Sequence, residues 1–184
     1  MYWYKPLAKY FSLTGLVLLL CCAYTCKPEI KETGAELKFF DVKQYFKDEA
    51  EKLSRSNPAI FKTVTHNGKT ESKKVLIDNW PRELNSFTES DINKPAWKLS
   101  YSADSTAGGI TYRSKDASLK THEISIKKDS GKVTAIIIQN STHNILYNTT
   151  EKLSYYPGSY YLIEKTQKVK IMGANSYQIK GKFN

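Results

Sequence analysis

From residue 59 to the C-terminus, apolar side chains recur at every second position, in short runs broken by turn residues. A period of two puts alternate side chains on opposite faces of a strand, so this stretch must fold as sheet. Turn signals roughly every 8–12 residues make that sheet antiparallel, each strand returning beside the last. No repeat of about 20–50 residues interrupts the pattern, which excludes a solenoid or propeller. The strands expected are 61–66 and 69–77, joined by Asn67-Gly68, then 97–101, 110–114, 121–128 and 133–139. They continue as 144–148, 152–156, 159–165, 167–172 and 176–183, while residues 103–109 read as a loop. Asn67-Gly68 is the pair that a type I′ hairpin turn favours, because both positions need a positive φ.

Before residue 59 the period is 3.6. Val42, Tyr45, Phe46, Ala50 and Leu53 form one stripe, with Lys43, Lys47, Asp48, Glu51 and Lys52 opposite. Asp41 is the expected N-cap, Gln44 completes a capping box, Phe40 and Tyr45 form a staple, and Asn57-Pro58 ends the helix. A second short helix is expected over 81–88, with Asn79 as cap and Trp80, Leu84 and Phe87 facing inward. The fold class is therefore α+β and mostly antiparallel β. An N-terminal helix should pack on a curved meander, or on a partly open barrel, of nine to eleven strands. Parity puts Ile124, Ile126 and His122 on one face, and gives the C-terminal strands a lysine-rich face carrying Lys168, Lys180 and Lys182.

The first 26 residues follow different rules. Lys5 and Lys9 precede an apolar run from Phe11 to Leu20, and Cys21, Cys22 and Cys26 follow within six residues. A basic stretch, a short apolar core and small residues make an export signal, and the apolar run is too short to span a bilayer. The body contains no cysteine, which excludes internal disulfides and thiol catalysis. In this segment the chain resembles bacterial lipoproteins, whose first mature residue is a cysteine carrying a diacylglyceryl group. The loose box before Cys26 and the charged start Lys27-Pro28-Glu29 are similar to those of Bacteroidota. The resemblance implies acylation at Cys26, with Cys22 the alternative. It divides the chain into a signal over 1–25, an acylated cysteine and polar tether over 26–36, and one domain over 37–184. Location in the cell envelope, at the outer membrane or cell surface, follows from the same resemblance.

The net charge is +10, two of those charges lying in residues 1–25. For an exported chain such an excess suits anionic lipid or acidic polysaccharide rather than nucleic acid. Histidine occurs only as His66, His122 and His143, and no pair has metal-ligand spacing, so neither metal nor cofactor is expected. A hydrolase would require one of these histidines beside a serine or carboxylate in a cleft. The candidate ligand site is aromatic instead. Tyr155, Tyr156, Tyr160 and Tyr161 flank the Pro157-Gly158 turn, with Trp97 upstream and Lys165 and Lys168 nearby. These residues suit an amphiphilic or anionic ligand held by a non-enzymatic binding module. The rival expectation is a structural lipoprotein that pairs with an envelope protein complex through sheet edges or its lysine face.

Overall fold

In the computed structural model, which describes residues 37–170 and 173–184, an amphipathic helix α1, Val42–Ser56, comes first. Asp41 caps it, its carboxylate accepting the Gln44 N–H at 2.8 Å. The box is only half made, because the Gln44 side chain turns forward and donates to Asp48 instead. Phe40 and Tyr45 meet with ring centroids 5.6 Å apart, as a staple should. Asn57 ends the helix in the left-handed region at φ 40°, its N–H closing on the Leu53 carbonyl. The buried residues are Val42, Phe46, Ala50 and Leu53, one stripe of the helix.

Nine strands follow in a single antiparallel sheet: β1 Ile60–His66, β2 Lys69–Val75, β3 Tyr101–Thr106, β4 Gly109–Ser114 and β5 Thr121–Asp129. The rest are β6 Lys132–His143, β7 Tyr147–Tyr156, β8 Tyr160–Val169 and β9 Gly173–Phe183. Their order is β2-β1-β9-β8-β7-β6-β5-β4-β3. Seven consecutive strands form a meander, and the first hairpin joins it by laying β1 against the last strand. The sheet is open, with β2 and β3 as edges. Polar sequences protect both, Lys-Thr-Glu-Ser-Lys-Lys along β2 and Ser-Ala-Asp-Ser-Thr along β3. Between the first hairpin and β3 lie two one-turn helices, α2 Trp80–Glu83 and α3 Asn85–Thr88, and a 3₁₀ turn at Pro95–Trp97.

Several strand limits differ from expectation. Residues 97–99 are not strand: Pro95 starts a 3₁₀ turn, the Trp97 N–H bonds the Lys94 carbonyl, and Leu99 points outward. Residues 103–106 are strand rather than loop, because β4 supplies a ladder to a segment with little apolar pattern of its own. Residues 147–148 and 152–156 belong to one strand, β7, with 144–146 in the turn before it. Residues 160–165 and 167–169 belong to β8, and the expected strand end at 171–172 lies outside the described residues. His122 does not share the face of Ile124. A bulge between Thr121 and Glu123 takes it out of register and turns it toward Ser141.

One face of the sheet carries the core. Tyr155, Tyr161, Leu153, Ile136, Ile138, Ile124 and Ile126 are buried there beneath Phe46, Trp80, Leu84 and Phe87. Phe46 lies 4.6 Å from Phe87 and meets Tyr155 edge-on at 5.2 Å, while Trp80 stacks on Phe183 at 5.9 Å. Burying each such ring stabilises the fold by roughly 2–3 kcal/mol. Gly181 sits opposite Tyr161 on β9, and a Cβ there would come within 2.1 Å of the tyrosine ring. Asn93 ties the segment before α1 to this core, accepting from the Phe39 N–H and donating to the Phe39 and Phe40 carbonyls. Residues 37–184 form a compact unit, and the core of the described residues lies within it.

Candidate functional site

The three helices are shorter than the sheet they cover. They shield the strand ends near Tyr155, Tyr161 and Phe183, and leave the same face open farther along β8 and β9. Ile163 and Ile179 are directly paired there and only partly buried. Together with Val75 and Ile77 they line a groove of about 840 Å³ between the sheet and α2. A polar annex of about 340 Å³ adjoins it, sharing Ser86, Glu151, Lys165 and Gln167 with the groove.

Charge in the groove is nearly balanced. Lys62, Lys73, Arg82 and Lys165 face Asp78, Glu83 and Glu151. Lys62 is paired with Glu83 at 2.6 Å, and Glu83 also accepts the Tyr161 hydroxyl at 2.5 Å. In the annex Lys120 lies 3.7 Å from Glu89. The Asn140 amide donates to Ser90 Oγ and to Glu151 at 2.9 Å each, and its buried carbonyl oxygen has no partner among the described residues.

The expected site residues are dispersed. Lys165 lies in the groove because its parity matches Ile163. Tyr155 and Tyr161 are wholly buried, and their rings leave no surface for a ligand. Their hydroxyls go to Glu49 and Glu83, and burial followed by those carboxylates pushes both phenols well above the ordinary tyrosine range. Tyr156 and Tyr160 stack at 4.6 Å on the opposite face, with the Lys180 ammonium 5.0 Å from the Tyr160 ring. Lys168 shares the parity of that opposite face. Trp97 packs near Tyr101 at the β3 edge, under the Lys94 ammonium at 4.1 Å. Cys26 and Cys22 lie outside the described residues. The tyrosine pairing was legible because a tight turn makes 155 and 161 opposite. Which face the helices would cover was not.

His66 stacks on Tyr177 at 4.3 Å, and His143 is exposed. His122 Nε2 lies 2.6 Å from Ser141 Oγ, the one histidine–hydroxyl contact among the described residues. A nucleophilic serine also needs free N–H donors nearby for the oxyanion. The Ser141 N–H is already given to the Lys120 carbonyl, and no carboxylate bonds the second His122 nitrogen. No group of three His, Cys, Asp or Glu side chains able to hold a metal occurs among the described residues. No helix among them is long and apolar enough to cross a membrane. No family model, curated protein or solved structure matches the chain.

Proposed function

We propose that the chain is an envelope lipoprotein, anchored through Cys26, whose domain holds an amphiphilic ligand in the groove between α2 and the sheet. The observation that carries this reading is the paired Ile163 and Ile179 floor, left open on a face otherwise closed by helices. An acyl-like portion would cover that floor and Val75, removing apolar surface from water. Lys73, Arg82 and Lys165 would meet the polar head. Near balance of charge favours an amphiphile over a polyanion, which would face Asp78, Glu83 and Glu151 as well. In this reading the domain holds its ligand without transforming it.

The test is mass spectrometry of lipids extracted from the full chain purified from membranes, compared with Ile163→Glu. Lipid recovered with the parent and lost from the variant, both being folded, supports the reading. Equal lipid content, or none with either, refutes it. Anchoring is tested separately: Cys26→Ala should leave the membrane fraction.

A further inference from the structure

We infer that the end of the sheet bearing the β6–β7 tip is a docking face for a bilayer surface rich in anionic headgroups. Four large apolar side chains stand in solvent there or beside it: Ile145 81% exposed, Leu146 68%, Leu99 80% and Leu37 47%. Antiparallel alternation puts the β6–β7 tip, the β8 terminus and the approach to β3 at one end of the sheet. With strands about 4.8 Å apart, Leu99 and the tip are separated by roughly 15–20 Å along that end.

The tip is built rather than loose. The Asn144 side chain accepts the Leu146 and Tyr147 N–H groups at 2.9 Å each. The Asn144 N–H bonds the Tyr147 carbonyl, and the Lys170 N–H bonds that of Leu146. Ile145 and Leu146 are thereby displayed outward on fixed backbone, so insertion would order little that is not already ordered. Both lie outside the core of the described residues. A core-facing role is closed to them, and an ordinary hairpin turn would carry polar residues here.

The surroundings select the partner. Lys168 and Lys170 flank the tip and are exposed, and no acid occurs in residues 141–150 or 165–170. Lys98 and Lys115 are exposed near Leu99. Apolar side chains projecting from a cationic rim match the layering of a membrane interface, with hydrocarbon beneath phosphate. The chain also enters the domain at this end, where the Lys38 ammonium donates to the Lys98 carbonyl at 2.7 Å. Lys38, near the start of the described residues, therefore lies beside the docking face. The groove runs toward the same end, through Gln167 and Tyr147, so docking would bring a lipid-binding site to the bilayer. That last consequence rests on the proposed function, but the docking itself does not.

The test uses residues 37–184, which carry the whole core, and therefore excludes the anchor. The domain is sedimented with vesicles of phosphatidylcholine alone and of phosphatidylcholine with phosphatidylglycerol. Binding is expected to the anionic vesicles and to weaken with added salt. Ile145→Asp with Leu146→Asp should lower it by about tenfold or more, since two buried aliphatic side chains are lost. Lys168→Glu with Lys170→Glu should lower it independently, on side chains too exposed to unfold the domain. The inference is overturned if the parent domain fails to sediment, or if the aspartate pair binds as the parent does. A domain that stays in solution while the full chain sediments would refute this face and leave the anchor standing.

Discussion

The buried tyrosines make the fold sensitive to alkali in a calculable way. Tyr101, Tyr155 and Tyr161 are 3%, 0% and 0% exposed, and each holds its proton more tightly than free tyrosine. Burial is the first cause in all three. It pushes Tyr101 up from 10.0 to about 12, while Glu49 and Glu83 raise Tyr155 and Tyr161 further. A raised pKa in the folded state means stability that is complete below pH 10, where the unfolded chain is also protonated. It is lost as pH climbs from 10 toward the folded values, because only the unfolded chain then releases its protons. The unfolded phenol is half ionised at pH 10, so each group removes about 1 kcal/mol between pH 10 and 11 and the three together about 3 kcal/mol. Against a typical total of about 5–15 kcal/mol, that is a large share. The assay is urea unfolding at several pH values, followed by circular dichroism, with tyrosinate absorbance recorded in parallel. Tyr155→Phe should reduce the slope at unchanged fold, by less than one third because burial also raises the Tyr45 phenol. A flat stability profile between pH 9 and 11 would refute the reasoning.

Two substitutions test the packing. Gly181→Ala forces a methyl into the Tyr161 ring and should cost about 1–3 kcal/mol, read as a lower urea midpoint with an unchanged m-value. Asn57→Ala keeps the helix terminus but puts a residue intolerant of the left-handed region at φ 40°, so it should cost about 1 kcal/mol in the same assay.

How much of this was legible varies by element. The first helix and the Asn67-Gly68 hairpin are written in local chemistry: a cap, a stripe and a turn pair with φ of 48° and 82°. β3 is not, because Ser102, Ala103 and Asp104 have little preference for strand and are held by β4 alone. The division of β7 was misread at Thr149 and Thr150, polar residues on a strand whose lower half faces solvent. His122 was misplaced because a bulge leaves no trace in a parity count. The groove is harder still. It exists because α2 and α3 are each one turn long and stop short of Ile163, and their reach depends on tertiary packing. Lys165 was singled out for its nearness to tyrosines, yet it reaches the groove through its parity with Ile163.

Strand order has a temporal consequence. Ile60 finds its neighbour in Phe183, so more than a hundred intervening residues must be made before the opening hairpin has anywhere to sit. Contacts that distant slow folding, and the nascent N-terminal half waits as an unseated ribbon with Ile60 and Trp80 uncovered. The eleven residues of β9 act as a keystone: a ribosome that stopped short of them would release a meander and a hairpin with no seam between them.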